Sequence, residues 1–188
     1  MRYLPASARC NRLFFGLVAV FLLAFPPPAR ATVPPSVPRV TEVTLDGAIS
    51  PAQADLLDAA LAEAKAHGAV MLLVRLDTPG GSIEVMRRMV QAMLNAPVPV
   101  VVWVAPAGAR AASAGVFLVA ASAVAAMAPQ TSIGSASPVG PGGSELKGTM
   151  GTKVKNDLES LLRGLARAHG RNIGWYVGAV TRAANSDA

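Results

Sequence analysis

Residues 76–81 read Leu-Asp-Thr-Pro-Gly-Gly, and residues 108–115 read Gly-Ala-Arg-Ala-Ala-Ser-Ala-Gly. Each segment is a glycine-bearing turn directly after an apolar run with the character of a strand, 70–76 or 98–104. Turns at the ends of neighbouring parallel strands meet at one edge of a sheet. The two segments therefore predict a site at which two backbone turns and one serine, Ser113, come together.

The surrounding pattern predicts an α/β domain with a largely parallel sheet. The runs 70–74 and 98–102 are apolar at nearly every position, which predicts inner strands that helices cover on both faces. The predicted elements are strand 40–45, helix 51–67, strand 70–76, helix 82–95, strand 98–104, helix 113–122, a short apolar run 124–127, a long surface loop 129–150, and helices 153–169 and 172–183.

The first 31 residues predict a secretory signal peptide. Arginines precede an apolar core at 13–25, and Ala29-Arg30-Ala31 fits a cleavage site. The apolar core is shorter than the roughly 20 residues that a membrane-spanning helix needs; an uncleaved membrane anchor is the alternative. Residues 32–39 then form a proline-rich spacer, and residues 40–188 form one exported domain.

Charge and cysteine content exclude several classes of function. The signal segment carries four arginines and no acid, and its removal lowers the formal net charge from +6 to +2. The remaining domain lacks the basic footprint of a nucleic-acid-binding protein. Cys10, the only cysteine, lies in the same segment, so no disulfide or thiol nucleophile is expected. The sequence has no metal-ligand cluster and no phosphate-binding loop, which predicts a protein without metal or cofactor.

Ser113 is the candidate nucleophile of an acyl-transfer site. It lies in the small-residue pattern Ala-x-Ser-x-Gly at 111–115, at the predicted start of an apolar helix. A serine hydroxyl needs a base and also donors for the oxyanion that forms on attack. The free N–H groups of a helix N-terminus can donate hydrogen bonds to this oxyanion. The alternative is that Ser113 only caps the helix.

Gly80 and Gly81, together with Ala114, are the candidate oxyanion donors. The two glycines follow a buried strand and have no side chain that would obstruct their N–H groups. Either of them, paired with the N–H group of Ala114, is predicted to hold a carbonyl oxygen. The alternative is a plain strand-to-helix turn in which glycine allows positive φ.

Lys153 is the predicted base. The two histidines, His67 and His169, precede glycines at predicted helix ends, where a histidine is ordinarily a solvated cap. A lysine can act as a base once burial favours its neutral form. Lys153 stands at a predicted helix start, where the helix dipole also disfavours positive charge. Lys147, near the end of the long loop, and Lys155, after it, are the lysines closest to Lys153 in the sequence.

Two charged residues flank the predicted site. Asp77 precedes Thr-Pro, which favours a turn-forming or orienting role over a catalytic one. Arg110 is a candidate for binding a substrate carboxylate or phosphate. The alternative is that it anchors its own loop, and this second role is favoured.

These segments closely resemble the membrane-associated serine proteases of the NfeD family, relatives of the ClpP proteolytic subunit and of signal peptide peptidase A that use a serine and lysine dyad. Phe117 stands where a smaller or tyrosine-like residue is common in that family. The resemblance covers roughly residues 40–183 and rests on segments 45–51, 76–81, 97–100, 108–115, 125–129, 133–139 and 170–172.

The resemblance implies a ClpP/crotonase-like fold of stacked ββα units, with Ser113 as nucleophile and Lys153 as base. It implies ATP-independent cleavage of hydrophobic segments in a stomatin-like membrane partner, in the periplasm or another extracytoplasmic compartment close to the membrane. Homodimers or larger homo-oligomers are usual in the family. Family members also continue past the protease domain, so a domain truncated at its C-terminus is expected here.

Two other functions compete with this prediction. A crotonase-type acyl-CoA enzyme would also use two backbone N–H groups as an oxyanion hole, but coenzyme A is a cytoplasmic substrate and export argues against it. A non-catalytic scaffold that binds a stomatin-like membrane protein is the alternative from another class.

Overall fold

The computed structural model describes residues 37–144 and 146–188. The predicted signal peptide and most of the proline-rich spacer lie outside these residues. No helix among them combines the length and the apolar character needed to cross a membrane. The elements are β1 (Val40–Asp46), α1 (Pro51–Ala66), β2 (Met71–Asp77), α2 (Ile83–Leu94), β3 (Val100–Val104), β4 (Arg110–Ala112), α3 (Ala114–Ala121), β5 (Val124–Met127), β6 (Ser132–Gly134), a short 3-10 helix (Pro141–Gly143), α4 (Gly148–Ala168), α5 (Ile173–Thr181) and β7 (Asn185–Asp187).

Among the described residues, four parallel strands form the main sheet, in the order β1-β2-β3-β5. The apolar residues of β2 and β3 pair in register, with Leu72 opposite Val100 and Leu76 opposite Val104. β2 and β3 are therefore inner strands, as their sequences predict. Because the strands are parallel, the glycine turn after β2 lies at the same edge of the sheet as the carboxyl end of β3.

A second sheet of three short strands holds the segment that leads to Ser113. β4 pairs in parallel with β6, and β7 pairs in antiparallel with β6. A single bridge between Thr78 and Ala111 joins β4 to the end of β2. The predicted loop at 129–150 is thus interrupted by β6, by the 3-10 helix and by the start of α4.

In the described part of the chain, helices bury only one face of the main sheet, contrary to the prediction for its inner strands. Leu72, Val74 and Leu76 are fully buried, whereas the alternate residues of β2 are half-buried. On that second face Trp103 is 37% exposed and Val124 is 56% exposed. The alternation follows from strand geometry, in which successive side chains point to opposite faces.

The helix α3 is enclosed by the rest of the domain. All eight of its residues are buried, as expected for a helix that is apolar on every side. At its carboxyl end Arg171 donates to the carbonyl oxygen of Ala120, and to the carbonyl oxygen and the hydroxyl of Ser122 at 2.8 and 3.1 Å. A cation at this end also interacts favourably with the helix dipole. Arg171 therefore fixes the end of α3 that lies opposite to Ser113.

α4 begins at Gly148, five residues before the predicted start at Lys153. Residues 148–152 contain two glycines and two threonines, which are weak helix formers. Their low helix propensity is the reason why the sequence does not predict this first turn. Lys153 consequently lies in the second turn. The predicted position of Lys153 at the start of the helix, where the dipole mainly acts, is therefore wrong.

Replacing Arg171 by methionine should lower the free energy of unfolding by about 2 to 3 kcal/mol, because buried acceptors at the end of α3 lose a charged donor. The control is Arg163→Met, which removes an ion pair with Glu159 at the helix surface and should change that free energy by less than about 0.5 kcal/mol. Urea unfolding followed by circular dichroism measures both. Equal effects of the two substitutions would contradict the role given to Arg171.

Candidate active site

Ser113 connects β4 to α3 in a strained backbone conformation. Its φ is 52° and its ψ is −112°, a region that residues other than glycine rarely occupy and that costs about 1 to 3 kcal/mol. The Ser113 N–H group donates to the carbonyl oxygen of Gly134 in β6 at 2.9 Å. This is the sharp strand-to-helix turn that presents a nucleophilic serine in other hydrolase folds.

The Ser113 hydroxyl makes no capping hydrogen bond to α3. Instead, the backbone carbonyl oxygen of Ser113 accepts the N–H group of Val116 at 3.1 Å. The interpretation of Ser113 as a simple helix cap is therefore wrong. Its side chain remains available for another task.

The glycine turn lies directly against Ser113, which confirms that the two segments converge. A methyl group placed on the Gly80 Cα would lie 2.5 Å from the Ser113 Cβ and 3.0 Å from its Oγ. Gly80 also has a φ of 106°, which disfavours any side chain there. Only glycine at position 80 allows the turn to approach the serine this closely.

Thr78 holds this turn in place, a role that reading the sequence missed. Its hydroxyl is fully buried, accepts the Gly80 N–H group at 3.1 Å and donates to the Gly80 carbonyl oxygen at 3.3 Å. Its backbone N–H group donates to the Arg110 carbonyl oxygen at 2.7 Å, and its carbonyl oxygen accepts from Ala112 at 3.0 Å. The threonine in Thr-Pro-Gly-Gly was the available signal, because hydroxyl side chains often bond the backbone two residues ahead.

Of the two glycines, only Gly81 keeps a free donor. The Gly80 N–H group is taken by the threonine hydroxyl, whereas the Gly81 N–H group forms no hydrogen bond within the described residues. The Ile49 backbone holds Gly81 tightly, since a methyl group there would lie 2.3 Å from the Ile49 carbonyl oxygen. Ala114 is the first residue of α3, so its N–H group has no acceptor within the helix. Gly81 and Ala114 are therefore the pair that geometry favours as oxyanion donors.

Ser113, Gly81 and Ala114 line one small cavity of about 50 Å³. The other described residues around it are all apolar, so the site combines a hydroxyl and two backbone N–H groups with a hydrophobic surface. These apolar residues are Ile83, Met86, Phe117, Ala136, Pro138, Val139 and Leu158.

The structure does not bring Lys153 to this cavity. The Lys153 side chain is exposed and lines neither the cavity nor a neighbouring groove of about 850 Å³. Lys155 does line that groove, which shares Pro138 with the Ser113 cavity. The Lys155 ammonium group donates to the carbonyl oxygen of Thr181 at 3.1 Å.

The two lysines leave α4 on different sides. Asp157 lies one helical turn after Lys153, on the same face, and pairs with Arg87 of α2. Arg87 is adjacent to Met86, which lines the Ser113 cavity. Lys153 thus lies on the face of α4 that is turned toward α2, whereas the Lys155 side chain extends toward α5.

Both histidines occupy helix ends, as the sequence predicts. His67 is the C-cap residue of α1 and lies beside the start of β1, at the opposite edge of the sheet from Ser113. His169 is the C-cap residue of α4. Burial lowers the pKa of His169, and the positive charge of Arg171 lowers it further. Neither histidine lines the cavity beside Ser113.

Asp77 and Arg110 act together in holding the loop. The Asp77 carboxylate accepts the backbone N–H group of Arg110 at 3.0 Å, which confirms the orienting role predicted for Asp77. The Arg110 side chain is exposed and does not line the cavity. Within the described residues, no group of three or more His, Cys, Asp or Glu side chains is placed to hold a metal ion.

Comparison with known proteins matches residues 39–185 to the N-terminal domain of NfeD1b. The chain belongs to this family. Membrane-bound protease PH1510 of Pyrococcus horikoshii is 32% identical to this chain over 165 residues, which are 86% of this chain and 35% of PH1510. The chain therefore spans about a third of the length of this relative.

Two solved structures share the fold at 30% identity. One is the 1510-N membrane-bound stomatin-specific protease, as a lysine-to-alanine mutant in complex with a substrate peptide; its TM-score is 0.76, over 81% of this chain and 70% of that chain. The other is a serine-to-alanine mutant of the same protease, with a TM-score of 0.75 over 81% and 74%. They confirm the predicted α/β fold of the ClpP-like NfeD proteases.

Thr78→Val should expose the Gly80 N–H group to exchange with solvent, because valine keeps the shape of threonine but removes the hydroxyl acceptor. Thr78→Ser keeps the hydroxyl and is the matched control. Amide hydrogen exchange measured by NMR should show protection of Gly80 in the natural sequence and in Thr78→Ser, and roughly tenfold faster exchange in Thr78→Val. Slow exchange of Gly81 in the natural protein would contradict its assignment as a free donor.

Proposed function

We propose that this chain is an ATP-independent serine endopeptidase with Ser113 as its nucleophile. The observation that carries the proposal is the meeting of an uncapped serine hydroxyl, the N–H groups of Gly81 and Ala114, and an apolar cavity. These are the parts that acyl transfer requires at one point. The two 1510-N structures are described as those of a stomatin-specific protease, which supports the same reaction class.

The reaction begins when the Ser113 Oγ attacks a peptide carbonyl carbon and its proton passes to a neutral lysine amine. The carbonyl oxygen becomes negative and accepts hydrogen bonds from the N–H groups of Gly81 and Ala114. The C–N bond then breaks, the leaving amine takes the proton from the lysine, and an acyl-serine ester remains. Water attacks this ester with the same lysine as base, which releases a carboxylic acid and restores the hydroxyl.

Lys153 is the base that we propose, on the strength of the family resemblance. Lys153 is exposed and lies outside the cavity, so in this proposal the second turn of α4 closes over the site and excludes water when Lys153 accepts the proton. Lys155 is the competing candidate, because it faces the groove beside the Ser113 cavity.

We further propose an apolar segment of a stomatin-like membrane protein as the substrate. The description of 1510-N as stomatin-specific and the apolar lining of the cavity support this choice. We propose that the protease acts outside the cytoplasmic membrane and close to it. The predicted signal peptide and the membrane-bound relative support this location. A homodimer or larger homo-oligomer follows from the family resemblance alone.

Ser113→Ala should reduce cleavage of an apolar peptide by at least about a thousandfold, because no other hydroxyl replaces the nucleophile. Ser160→Ala, on the exposed surface of α4, is the control and should retain full activity. Mass spectrometry of the peptide products measures turnover, and circular dichroism checks that both variants fold. Unchanged turnover in Ser113→Ala would exclude the proposed nucleophile. Peptide binding without cleavage, and without labelling by a fluorophosphonate, would support the scaffold function instead.

Lys153→Ala should lower kcat by about a hundredfold to ten-thousandfold, the range expected for loss of a general base. Lys155→Ala should lower kcat much less, since in this proposal Lys155 only lines the neighbouring groove. Lys65→Ala, at the end of α1, is the distant control and should leave kcat unchanged. A large loss in Lys155→Ala with a small loss in Lys153→Ala would transfer the role of base to Lys155.

A further inference from the structure

The cavity beside Ser113 has a size and a chemistry that restrict what it can hold. Its volume is about 50 Å³, and no charged side chain of residues 37–144 and 146–188 lines it. A cavity needs about 10 to 15 Å³ to admit one water-sized group, so this one accepts roughly three to five heavy atoms. A charged group buried there without a partner would be strongly disfavoured. The fitting occupant is therefore an aliphatic group of three or four carbons.

The position of the cavity identifies which part of a substrate enters it. Gly81 and Ala114 supply the N–H groups for the attacked carbonyl oxygen, and both of them line the cavity together with Ser113. The side chain next to that carbonyl is attached only one carbon atom away. That side chain is consequently the part of the peptide closest to the apolar space.

Phe117 limits the depth of this space. It lies one helical turn after Ser113 in α3, and side chains of a helix lean toward its N-terminus. Its ring is 2% exposed and lines the cavity from within the core. Ala136 lines the same cavity from the extended segment after β6, and its N–H group donates to the carbonyl oxygen of Ala179 at 2.9 Å. A larger or smaller side chain at either position changes the volume directly.

We propose that this cavity is the specificity pocket for the residue on the acyl side of the cleaved bond, and that Phe117 restricts that residue to valine or leucine size. The inference rests on the proposed function, since it takes Ser113 as the nucleophile. Phenylalanine has seven side-chain carbons and exceeds the room available, whereas alanine fits without filling it. The protease therefore selects aliphatic over aromatic residues at this position.

Peptide diphenyl phosphonates that differ only in the residue next to phosphorus test the proposal. Ser113 Oγ forms a bond to phosphorus, and phenol leaves with the serine proton, so the rate of labelling reports the fit of one side chain. The natural chain should react at least about tenfold faster with the leucine phosphonate than with the phenylalanine phosphonate. Intact-protein mass spectrometry gives both rates. Equal rates would overturn the proposal.

Substitutions that enlarge or fill the pocket should change two ratios of labelling rates, leucine to phenylalanine and leucine to alanine. Phe117→Ala should reduce the preference for leucine over phenylalanine by at least about tenfold, and Phe117→Leu, a milder change of the core, should reduce it by a smaller factor. Ala136→Val should slow labelling by the leucine phosphonate about tenfold relative to an alanine phosphonate. Tyr176→Leu removes another buried ring that does not line the cavity and should leave both ratios unchanged.

A side-chain-free fluorophosphonate separates this proposal from the function on which it rests. It forms a bond from Ser113 Oγ to phosphorus and releases fluoride, whatever the shape of the pocket. Fluorophosphonate labelling with ratios that do not respond to Phe117 and Ala136 substitutions would overturn the pocket and leave the nucleophile in place. Absence of fluorophosphonate labelling in the natural chain would overturn the proposed nucleophile, and the pocket assignment with it.

Discussion

The site depends on the close approach of the Gly80 backbone to the Ser113 side chain. A single methyl group at Gly80 would fall 2.5 Å from the Ser113 Cβ, so the contact leaves no room for adjustment. Thr78 maintains it through both of its backbone hydrogen bonds to the strand before Ser113 and through its hydroxyl. The same hydroxyl occupies the Gly80 N–H group and leaves that of Gly81 free. Thr78 thus determines both the distance between the two segments and which glycine, Gly80 or Gly81, keeps a free N–H group.

The strain at Ser113 is tolerated because both sides of it are fixed. Its N–H group is bonded to Gly134 in β6, and the helix that follows is buried at every residue. Burial of apolar side chains contributes more free energy than the roughly 1 to 3 kcal/mol that the backbone conformation costs. Arg171 adds a charged anchor at the far end of α3. The helix therefore cannot shift to relax Ser113 without exposing its apolar surface.

The sequence predicted those parts of the fold that local patterns determine, and missed those that depend on pairing between distant segments. The alternating runs, the inner strands and the meeting of two glycine turns all follow from periodicity and turn residues. The three-residue strands β4, β6 and β7 carry too little pattern to be recognised. The exposed second face of the main sheet was missed, although Arg75 in β2 breaks the apolar run there. The start of α4 was missed because glycine and threonine are poor helix formers.

The choice between Lys153 and Lys155 shows why a site residue is harder to predict than a fold. Both lysines lie within three residues of one another, yet the helix directs them to different neighbours. Lys155 is bonded to the Thr181 carbonyl oxygen on the α5 side, whereas Lys153 shares its face with Asp157, which is paired with Arg87 on the α2 side. Spacing along the chain therefore does not decide which of the two lysines serves Ser113, because the direction of each side chain depends on how α4 packs.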